Sequence, residues 1–277
     1  MIKTALISVY NKEGIADFAK QLVKLGVKII STGNTAKLLK QNNIDVTLVS
    51  EITKFPEMLD GRIKSIHPNI FAGILADRKN KNHIQTLKKF NINVIDLVVI
   101  NFYPFEESTK QKIKVKDVIE NIDVGGPSLA RAAAKNFQEV LVIVDPNDYS
   151  KILDRIKNRK IDEKLRQELA EKAFLYTARY DTIISRYFVE RIVGESFPDT
   201  YNFTFKKIQN LRYGENPNQK AAFYRSFLVN ETCVSTSKQL QGKELSYNNI
   251  LDANDAFELV KDFDEPTAAV IKHTNPS

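Results

Sequence analysis

The fold of this chain is decided near its start, where residues 3–30 read K-T-A-L-I-S-V-Y-N-K-E-G-I-A-D-F-A-K-Q-L-V-K-L-G-V-K-I-I. The apolar run Lys3–Val9 predicts a short buried strand. Apolar residues recur every three or four positions over Glu13–Leu25, which predicts an amphipathic helix that ends at Gly26. A second strand is predicted at Val27–Ile30, so the chain opens with a strand–helix–strand unit.

The same alternation continues downstream. A polar turn, Ser31–Thr35, precedes a short predicted helix at Ala36–Gln41, and Val46–Val49 is a third predicted strand. Two more buried strands are predicted at Val94–Ile100 and Val140–Val144. This series predicts an α/β fold, a doubly wound parallel sheet with right-handed crossovers.

Composition narrows the function classes. The 277 residues carry a net charge of +7, but the lysines are scattered and nucleic-acid recognition motifs are absent, so we expect phosphorylated small molecules as partners. Apolar runs are far shorter than the ~20 residues of a membrane-spanning helix, and we expect no signal peptide. The single cysteine, Cys233, and the three histidines exclude an internal disulfide and a zinc site, and they fit a cytoplasmic location.

Polar residues follow the predicted strands at their carboxyl ends, where parallel sheets bind ligands. Thr32–Thr35 offers hydroxyls, an amide and glycine-permitted backbone donors, which suit a phosphate, although helix N-caps use the same residue types for structure alone. Asn101 and Tyr103 leave another strand in the same way. Phe102 and Phe105, between and after them, are predicted to pack in the core.

The segment Gly61–Pro68, G-R-I-K-S-I-H-P, alternates charged and apolar residues. In an extended segment Arg62 and Lys64 point to one face, where they could grip an anion. Two solvated loop charges are the commoner alternative for such a pair. His67 is interpreted as a structural histidine held by Pro68.

The stretch Asn121–Asn136 reads N-I-D-V-G-G-P-S-L-A-R-A-A-A-K-N. An acid, Asp123, precedes a glycine turn and an alanine-rich helix, whose first N–H groups attract anions. Ser128, Arg131 and Lys135 share one helical face. The structural alternative is a capped surface helix, but the acid, the glycine turn and the basic stripe together favour an anion site.

The rest of the chain contains a predicted long helix, a domain boundary and, beyond that boundary, a segment with a different residue pattern. Leu165–Tyr187 predicts a long amphipathic helix of the core or of a subunit interface. A boundary follows near Gly194–Thr200, so we predict domains at residues 1–197 and 198–277. Ala268–Ile271 is predicted as a buried strand, and the second domain looks like the beginning of a longer one.

A set of motifs in order makes the sequence recognisable: S-V-Y-N-K, S-T-G-N-T, G-R-I-K-S-I-H-P, N-F-Y-P-F, I-D-V-G-G-P-S-L-A-R-A-A-A-K-N, L-R-Y-G-E-N-P-N-Q and K-H-T-N-P. The chain resembles the bifunctional purine-biosynthesis family that combines AICAR transformylase and IMP cyclohydrolase. The resemblance implies a methylglyoxal-synthase-like domain that closes formyl-AICAR to IMP without a cofactor. It also implies the first part of a cytidine-deaminase-like domain, which transfers a formyl group from 10-formyltetrahydrofolate to AICAR, and a homodimer.

The resemblance also implies site residues. The phosphate and ribose of the nucleotide would contact Tyr10, Asn11, Lys12, Thr32, Gly33, Asn34, Thr35, Arg62, Lys64 and Ser65. Nearer the base would lie Asn101, Asp123, Val124, Gly125 and Gly126. Lys135 would donate and accept protons, and as a hypothesis Asp123 accepts the amine proton, Lys64 supplies a proton or charge, and Tyr103 steadies the oxyanion. In the second domain Arg212 and Tyr213 would contact AICAR, with Lys272 and His273 as the catalytic pair.

The chain departs from the usual pattern of the family in places. Asn34 stands where glycine is common, Asn11 where aspartate is common, Tyr176 where histidine is common and Ser277 where cysteine is common. Asparagine tolerates left-handed backbone, so the turn at Asn34 should survive. Two other functions stay open: a non-catalytic nucleotide sensor, which needs no acid–base set, and a basic nucleic-acid binder, whose binding would depend steeply on salt.

Overall fold

The computed structural model describes residues 2–110, 113–194, 197–227, 229 and 231–276; Ser277 lies outside the described residues. The chain divides into two compact units, Met1–Pro198 (unit 1) and Asp199–Ser277 (unit 2).

Unit 1 contains a five-stranded parallel sheet among its described residues, with the strand order β3-β2-β1-β4-β5. Its strands are β1 Thr4–Val9, β2 Lys28–Ser31, β3 Thr47–Leu48, β4 Leu97–Asn101 and β5 Leu141–Ile143. All neighbouring strands pair in parallel, as Ala5 does with Ile29 on one side and with Leu97 on the other. The doubly wound parallel sheet is therefore confirmed, with each predicted strand present at somewhat different bounds.

Helices connect the strands. They are α1 Ile15–Lys24, α2 Gly33–Gln41, α3 Val49–Thr53, α4 Pro68–Leu75, α5 Lys81–Lys89, α6 Phe105–Lys110, α7 Val115–Glu120, α8 Gly125–Lys135, α9 Tyr149–Lys157 and α10 Glu163–Tyr187, which continues as a π-helical segment at Phe188–Val193. None of the helices formed by the described residues has both the length and the apolar character needed to cross a bilayer.

The core lies between the sheet and these helices. Strand β4 is buried at every position, because it is central and covered on both faces. Helix α1 buries most of the predicted stripe, with Ile15, Phe18 and Leu22 nearly inaccessible, whereas Leu25, which follows the helix, is exposed. Each such side chain contributes about 1.5–3 kcal/mol when it is fully buried. Phe102 and Phe105 are buried as predicted.

Two local predictions are resolved by capping geometry. His67 is structural, as interpreted, because it caps α4 and its Nδ1 accepts a hydrogen bond of 3.1 Å from Asn69 N. Helix α2 begins three residues earlier than predicted, at Gly33, whose φ is +53°. Asn34 has no left-handed backbone, so the departure from glycine at this position imposes no strain there.

Unit 2 consists of β6 Phe205–Asn210 paired antiparallel with β7 Ala222–Ser226, helix α11 Tyr247–Lys261, and a small hairpin of β8 Ile271–Lys272 and β9 Asn275–Pro276. The predicted buried strand at Ala268–Ile271 is wrong: only Ile271 of it lies in a strand, and Val270 is 70% exposed. Among the described residues of unit 2, no apolar side chain is buried. The apolar run Ala268–Ile271 therefore has no buried core to pack against among the described residues of this unit.

Candidate active site

A cleft of about 610 Å³ opens in unit 1 at the carboxyl ends of the central strands. Many of the predicted site residues line it: Tyr10, Lys12, Thr32, Asn34, Thr35, Arg62, Lys64, Ser65, Asn101, Tyr103, Asp123, Val124, Gly125 and Gly126. Residues from five separate parts of the sequence thus meet in one place. The described residues contain no group of three or more histidine, cysteine or acidic side chains that could hold a metal ion.

The turn after β1 is held by Asn101 at the end of β4. Asn101 Oδ1 accepts hydrogen bonds from Tyr10 N at 2.7 Å and Asn11 N at 2.8 Å, and its Nδ2 donates to Asn11 O at 3.3 Å. Asn101 also lines the cleft, so a contact between Asn101 and the base stays a prediction. Asn11 contributes its backbone there, and it is not among the residues that line the cleft.

One end of the cleft is an anion cradle, which we define by Lys12, Lys64 and the first turn of α2. Lys12 Nζ donates to Thr35 Oγ1 at 3.0 Å and to the carbonyl oxygen of Val9. Lys64 Nζ approaches the start of α2 so closely that a Cβ on Gly33 would lie 3.8 Å from it. Two ammonium groups and the positive end of a helix dipole therefore converge on one region.

The anion cradle is electrostatically crowded. Burial lowers the pKa of Lys12, and the charge of Lys64 lowers it further. Both causes act against the charged form of Lys12, so a bound anion would relieve the repulsion between the two lysines.

A carboxylate that sequence reasoning missed lies beside the anion cradle. Thr32 Oγ1 donates a hydrogen bond of 2.7 Å to Glu57 Oε1. Because Glu57 follows a proline in an irregular segment, its sequence neighbourhood carries no signal of this contact.

Arg62 is paired with an acidic side chain in this structure. It forms a bidentate pair with Glu120 at the rim of the cleft, with Nε 2.8 Å from Oε1, and both side chains are at least half exposed. Hydrogen bonding to Arg62 lowers the pKa of Glu120. A contact between Arg62 and substrate stays a prediction, and it would have to coexist with this ion pair or displace it.

The other end of the cleft is the Asp123 turn, which we define as Asp123–Gly126. Asp123 Oδ1 accepts a hydrogen bond of 2.8 Å from Gly126 N. Burial raises the pKa of Asp123, whereas this hydrogen bond and the charge of Lys64 oppose the rise. A Cβ on Gly126 would lie 2.5 Å from Asp123 Oδ2 and 2.8 Å from Phe102 Cδ1, so glycine is required here.

Tyr103 lies beside Tyr10 at the same opening. The two rings meet edge to face with centroids 4.7 Å apart. Burial raises the pKa of Tyr10, and Tyr103 adds to the rise. Ser65 approaches the Asp123 turn, since its Oγ would be 3.1 Å from a Cβ on Gly125.

Lys135 is not brought to the cleft. It is the last residue of α8, ten residues after Gly125, which corresponds to about 15 Å along the helix axis. Its side chain is exposed, and it is absent from the residues that line the cleft. The helical face shared with Ser128 and Arg131 runs along α8 and does not return to its N-terminus.

The predicted residues of unit 2 are at its surface. Arg212 lies over the ring of Tyr213, 5.4 Å from its centroid, and donates a 3.3 Å hydrogen bond to Asn249 Oδ1. Lys272 and His273 are exposed in the small hairpin, which is tied to α11 by a hydrogen bond from Thr274 N to Asp252 Oδ1 at 2.9 Å.

Comparisons with known proteins match both parts of the chain. The sequence model of the family described as "AICARFT/IMPCHase bienzyme" matches residues 133–277, and that of the "MGS-like domain" matches residues 14–128. Proteins called "Bifunctional purine biosynthesis protein PurH" from Acetivibrio thermocellus and Bacillus subtilis are 52% and 50% identical, over 100% and 99% of this chain. Each alignment covers 54% of the relative, so the chain spans about half the length of these curated relatives.

A solved structure is also similar. The chain in "Crystal structure of ForH" is 30% identical and superimposes with a TM-score of 0.59. The match covers 68% of this chain and 98% of that chain.

Proposed function

Because the chain belongs to the AICARFT/IMPCHase bienzyme family, we propose that the cleft of unit 1 binds formyl-AICAR and closes it to IMP with loss of water. The observation that carries the proposal is the presence of an anion cradle and a half-buried acid in one cleft. The cradle suits the phosphate of a nucleotide. The reacting formyl and carboxamide groups would then lie at the Asp123 turn, which we call the chemical end of the cleft. Unit 1 is thereby assigned as the cyclohydrolase domain, with residues 1–197 as its predicted extent.

The reaction needs proton transfer and charge stabilisation. Ring closure forms a bond between the carboxamide nitrogen and the formyl carbon, and it breaks the bond between that carbon and its oxygen. The carboxamide nitrogen and the formamide nitrogen each lose one proton, and both protons leave with the oxygen as water. A base, an acid and a donor aimed at the developing oxyanion are sufficient for these steps.

The cleft supplies groups for each role. Asp123 accepts the proton of the carboxamide nitrogen, and its raised pKa makes it a stronger base than an ordinary aspartate. The charge of Lys64 acts on both Lys12 and Asp123, so Lys64 can supply a proton or positive charge to the departing oxygen. Tyr103 donates to the oxyanion. Lys64 takes the role that sequence reasoning gave to Lys135, because Lys64 lines the cleft and Lys135 does not.

The test is direct. The full chain is mixed with formyl-AICAR, and IMP formation is followed by absorbance and by chromatography. Asp123→Asn should lower kcat by at least about 100-fold, as expected for loss of a general base. Asp117→Asn makes the same change at an exposed position of α7 and should leave the rate unchanged. A wild-type chain that binds IMP without turnover would refute the cyclohydrolase and favour the nucleotide sensor.

For unit 2, the proposed assignment is the first part of an AICAR formyltransferase that uses 10-formyltetrahydrofolate. Arg212 and Tyr213 are assigned to AICAR binding, and Lys272 and His273 to formyl transfer. Arg212, Lys272 and His273 are exposed and Tyr213 is half-buried, in a unit without a buried apolar side chain among its described residues, so we expect no formyl transfer from this chain alone. Folate-dependent formylation of AICAR by the isolated chain would contradict that expectation. A cytoplasmic homodimer is proposed for the working protein.

A further inference from the structure

Helix α10 presents two tyrosine hydroxyls to the chemical end of the cleft. Tyr176 OH accepts a hydrogen bond of 3.1 Å from Phe102 N, and Tyr180 OH accepts one of 2.8 Å from Asp123 N. The two tyrosines are four residues apart and therefore lie on the same face of the helix. Neither of them is among the residues that line the cleft.

The two backbone groups belong to the two loops that carry the proposed chemistry. Phe102 directly precedes Tyr103, and Asp123 is the proposed base. Tyr176 is stacked on the Phe102 ring with centroids 4.4 Å apart, and Tyr180 meets that ring edge-on at 5.2 Å. Helix α10 thus holds both loops, because each of its two tyrosines contacts the Phe102 ring and accepts one backbone hydrogen bond.

From this arrangement we infer that Tyr176 and Tyr180 are positioning residues, which fix Tyr103 and Asp123 relative to each other for ring closure. The inference rests on the proposed cyclohydrolase function. Neither hydroxyl touches the cleft, so each acts through the backbone that it holds. Without a hydroxyl, a part-buried N–H group would lose its partner and the loop could shift.

A merely structural role would behave differently. The anion cradle is built by Lys12, Lys64 and α2, which α10 does not hold by these bonds. Loosening the two loops should therefore lower kcat and leave KM almost unchanged, because the phosphate contacts persist. General loss of structure would affect both constants.

The chain offers a conservative replacement at one position. An imidazole nitrogen of histidine can accept a hydrogen bond as the hydroxyl of Tyr176 does. Tyr176→His should therefore retain more activity than Tyr176→Phe, although phenylalanine preserves the stacked ring better.

The experiment compares four single variants of the full chain: Tyr176→Phe, Tyr176→His, Tyr180→Phe and Tyr187→Phe. Tyr187 lies on the same helix with its ring 5.5 Å from Phe105, and it makes neither loop contact, so it is the matched control. We expect kcat to fall about tenfold in Tyr176→Phe and in Tyr180→Phe, with KM within about twofold of wild type. Tyr187→Phe should equal wild type.

The pH profile gives a second readout. The titratable groups that face Asp123 are Lys64 from the loop after α3, and Tyr176 and Tyr180 from α10. Burial is the main cause that raises the pKa of Asp123, so a loosened and wetter turn should move this pKa down. The acidic limb of kcat/KM should shift to lower pH in Tyr180→Phe and not in Tyr187→Phe.

Amide hydrogen exchange reports on the contacts without using activity. Exchange at Phe102 N–H should accelerate in Tyr176→Phe alone, and exchange at Asp123 N–H in Tyr180→Phe alone. Unchanged exchange, or equal losses in kcat and 1/KM, would overturn the inference. Absence of turnover in wild type would refute the cyclohydrolase instead, and the exchange result would still decide whether the hydroxyls hold the loops. A variant that does not fold at all leaves the decision to the variants at the other tyrosine.

Discussion

Replacing Gly126 by alanine tests the geometry of the Asp123 turn. The added Cβ would lie 2.8 Å from Phe102 Cδ1, so the ring would have to retreat by about 0.6 Å to reach ordinary contact. Phe102 is buried and stacked on Tyr176, so that retreat is opposed. The Asp123 carboxylate, only 2.5 Å from the same Cβ, would have to move as well.

The size of the effect follows from these contacts. Overpacking of a fixed core position destabilises a protein by about 1–3 kcal/mol, and we expect the upper part of this range because both neighbours are held. Movement of the carboxylate also weakens its 2.8 Å hydrogen bond from Gly126 N. We therefore expect kcat for IMP formation to fall at least tenfold, since the base is displaced, while KM changes less.

The neighbouring glycine provides the control. A Cβ on Gly125 would lie 3.1 Å from Ser65 Oγ, a hydroxyl that can rotate away, and 3.9 Å from Ile66 Cγ1. Alanine also favours a helix over glycine by about 1 kcal/mol, which offsets the crowding. Urea denaturation followed by circular dichroism should separate Gly126→Ala from Gly125→Ala by at least about 1 kcal/mol. Equal stability of the two variants would refute the reasoning.

Three further predictions concern charges. Lys64→Ala should abolish IMP formation while Lys135→Ala retains it, as measured by the same absorbance assay; the reverse ranking would restore the acid role to Lys135. Glu57→Gln should tighten IMP binding a few-fold at low salt in calorimetry, because it removes a negative charge beside the anion cradle while its amide oxygen still accepts from Thr32; unchanged affinity at low salt would exclude that repulsion. The pKa of Asp123 is higher in the folded state than in the unfolded state. Asp123 therefore lowers the free energy of unfolding as the pH rises above its unfolded-state pKa, and the full loss is reached above its folded-state pKa. Asp123→Asn should therefore raise the urea midpoint at pH 7 and not at pH 3. Asp117→Asn should raise it at neither pH, because Asp117 lies in the first turn of α7, where a negative charge favours the helix. A midpoint lowered at pH 7 in Asp123→Asn would contradict the sign.

The sheet could be predicted from sequence because its signal is local. Central parallel strands are buried on both faces, so they appear as short apolar runs such as Val94–Ile100, observed as β4. The same reasoning failed at Ala268–Ile271, since an apolar run becomes a buried strand only where other elements cover it. Unit 2 offers no such cover among its described residues.

The sequence predicted which residues line the cleft better than it predicted the contacts that they make. Residues at the carboxyl ends of strands were expected to meet, and they do. The pairing of Arg62 with Glu120 spans 58 positions, and the local sequence around neither residue predicts it. Helical periodicity placed Lys135 on a face, but it does not measure how far along the axis that face extends.

The tyrosines of α10 show a different limit. Their spacing predicted a packed helix, and the rings do pack, but the periodicity of apolar residues is blind to the hydroxyl at the end of each ring. Burial raises the pKa of Tyr180 to about 12, so its hydroxyl stays protonated and neutral where it holds Asp123 N.

The two ends of the cleft share one electrostatic condition. At the anion cradle, burial and Lys64 disfavour the charged form of Lys12; at the Asp123 turn, burial disfavours the carboxylate. The charged forms of Lys12 and Asp123 are thus destabilised where the fold places them, and interactions elsewhere in unit 1 must offset that free-energy cost. A phosphate bound at the cradle would neutralise the repulsion between Lys12 and Lys64, so binding should stabilise unit 1 as well as orient the substrate. The charge of Lys64 also lowers the pKa of Asp123. A phosphate bound beside Lys64 would partly neutralise that charge, so the pKa of Asp123 would rise. The anion that anchors the substrate would in this way strengthen the base at the other end of the cleft.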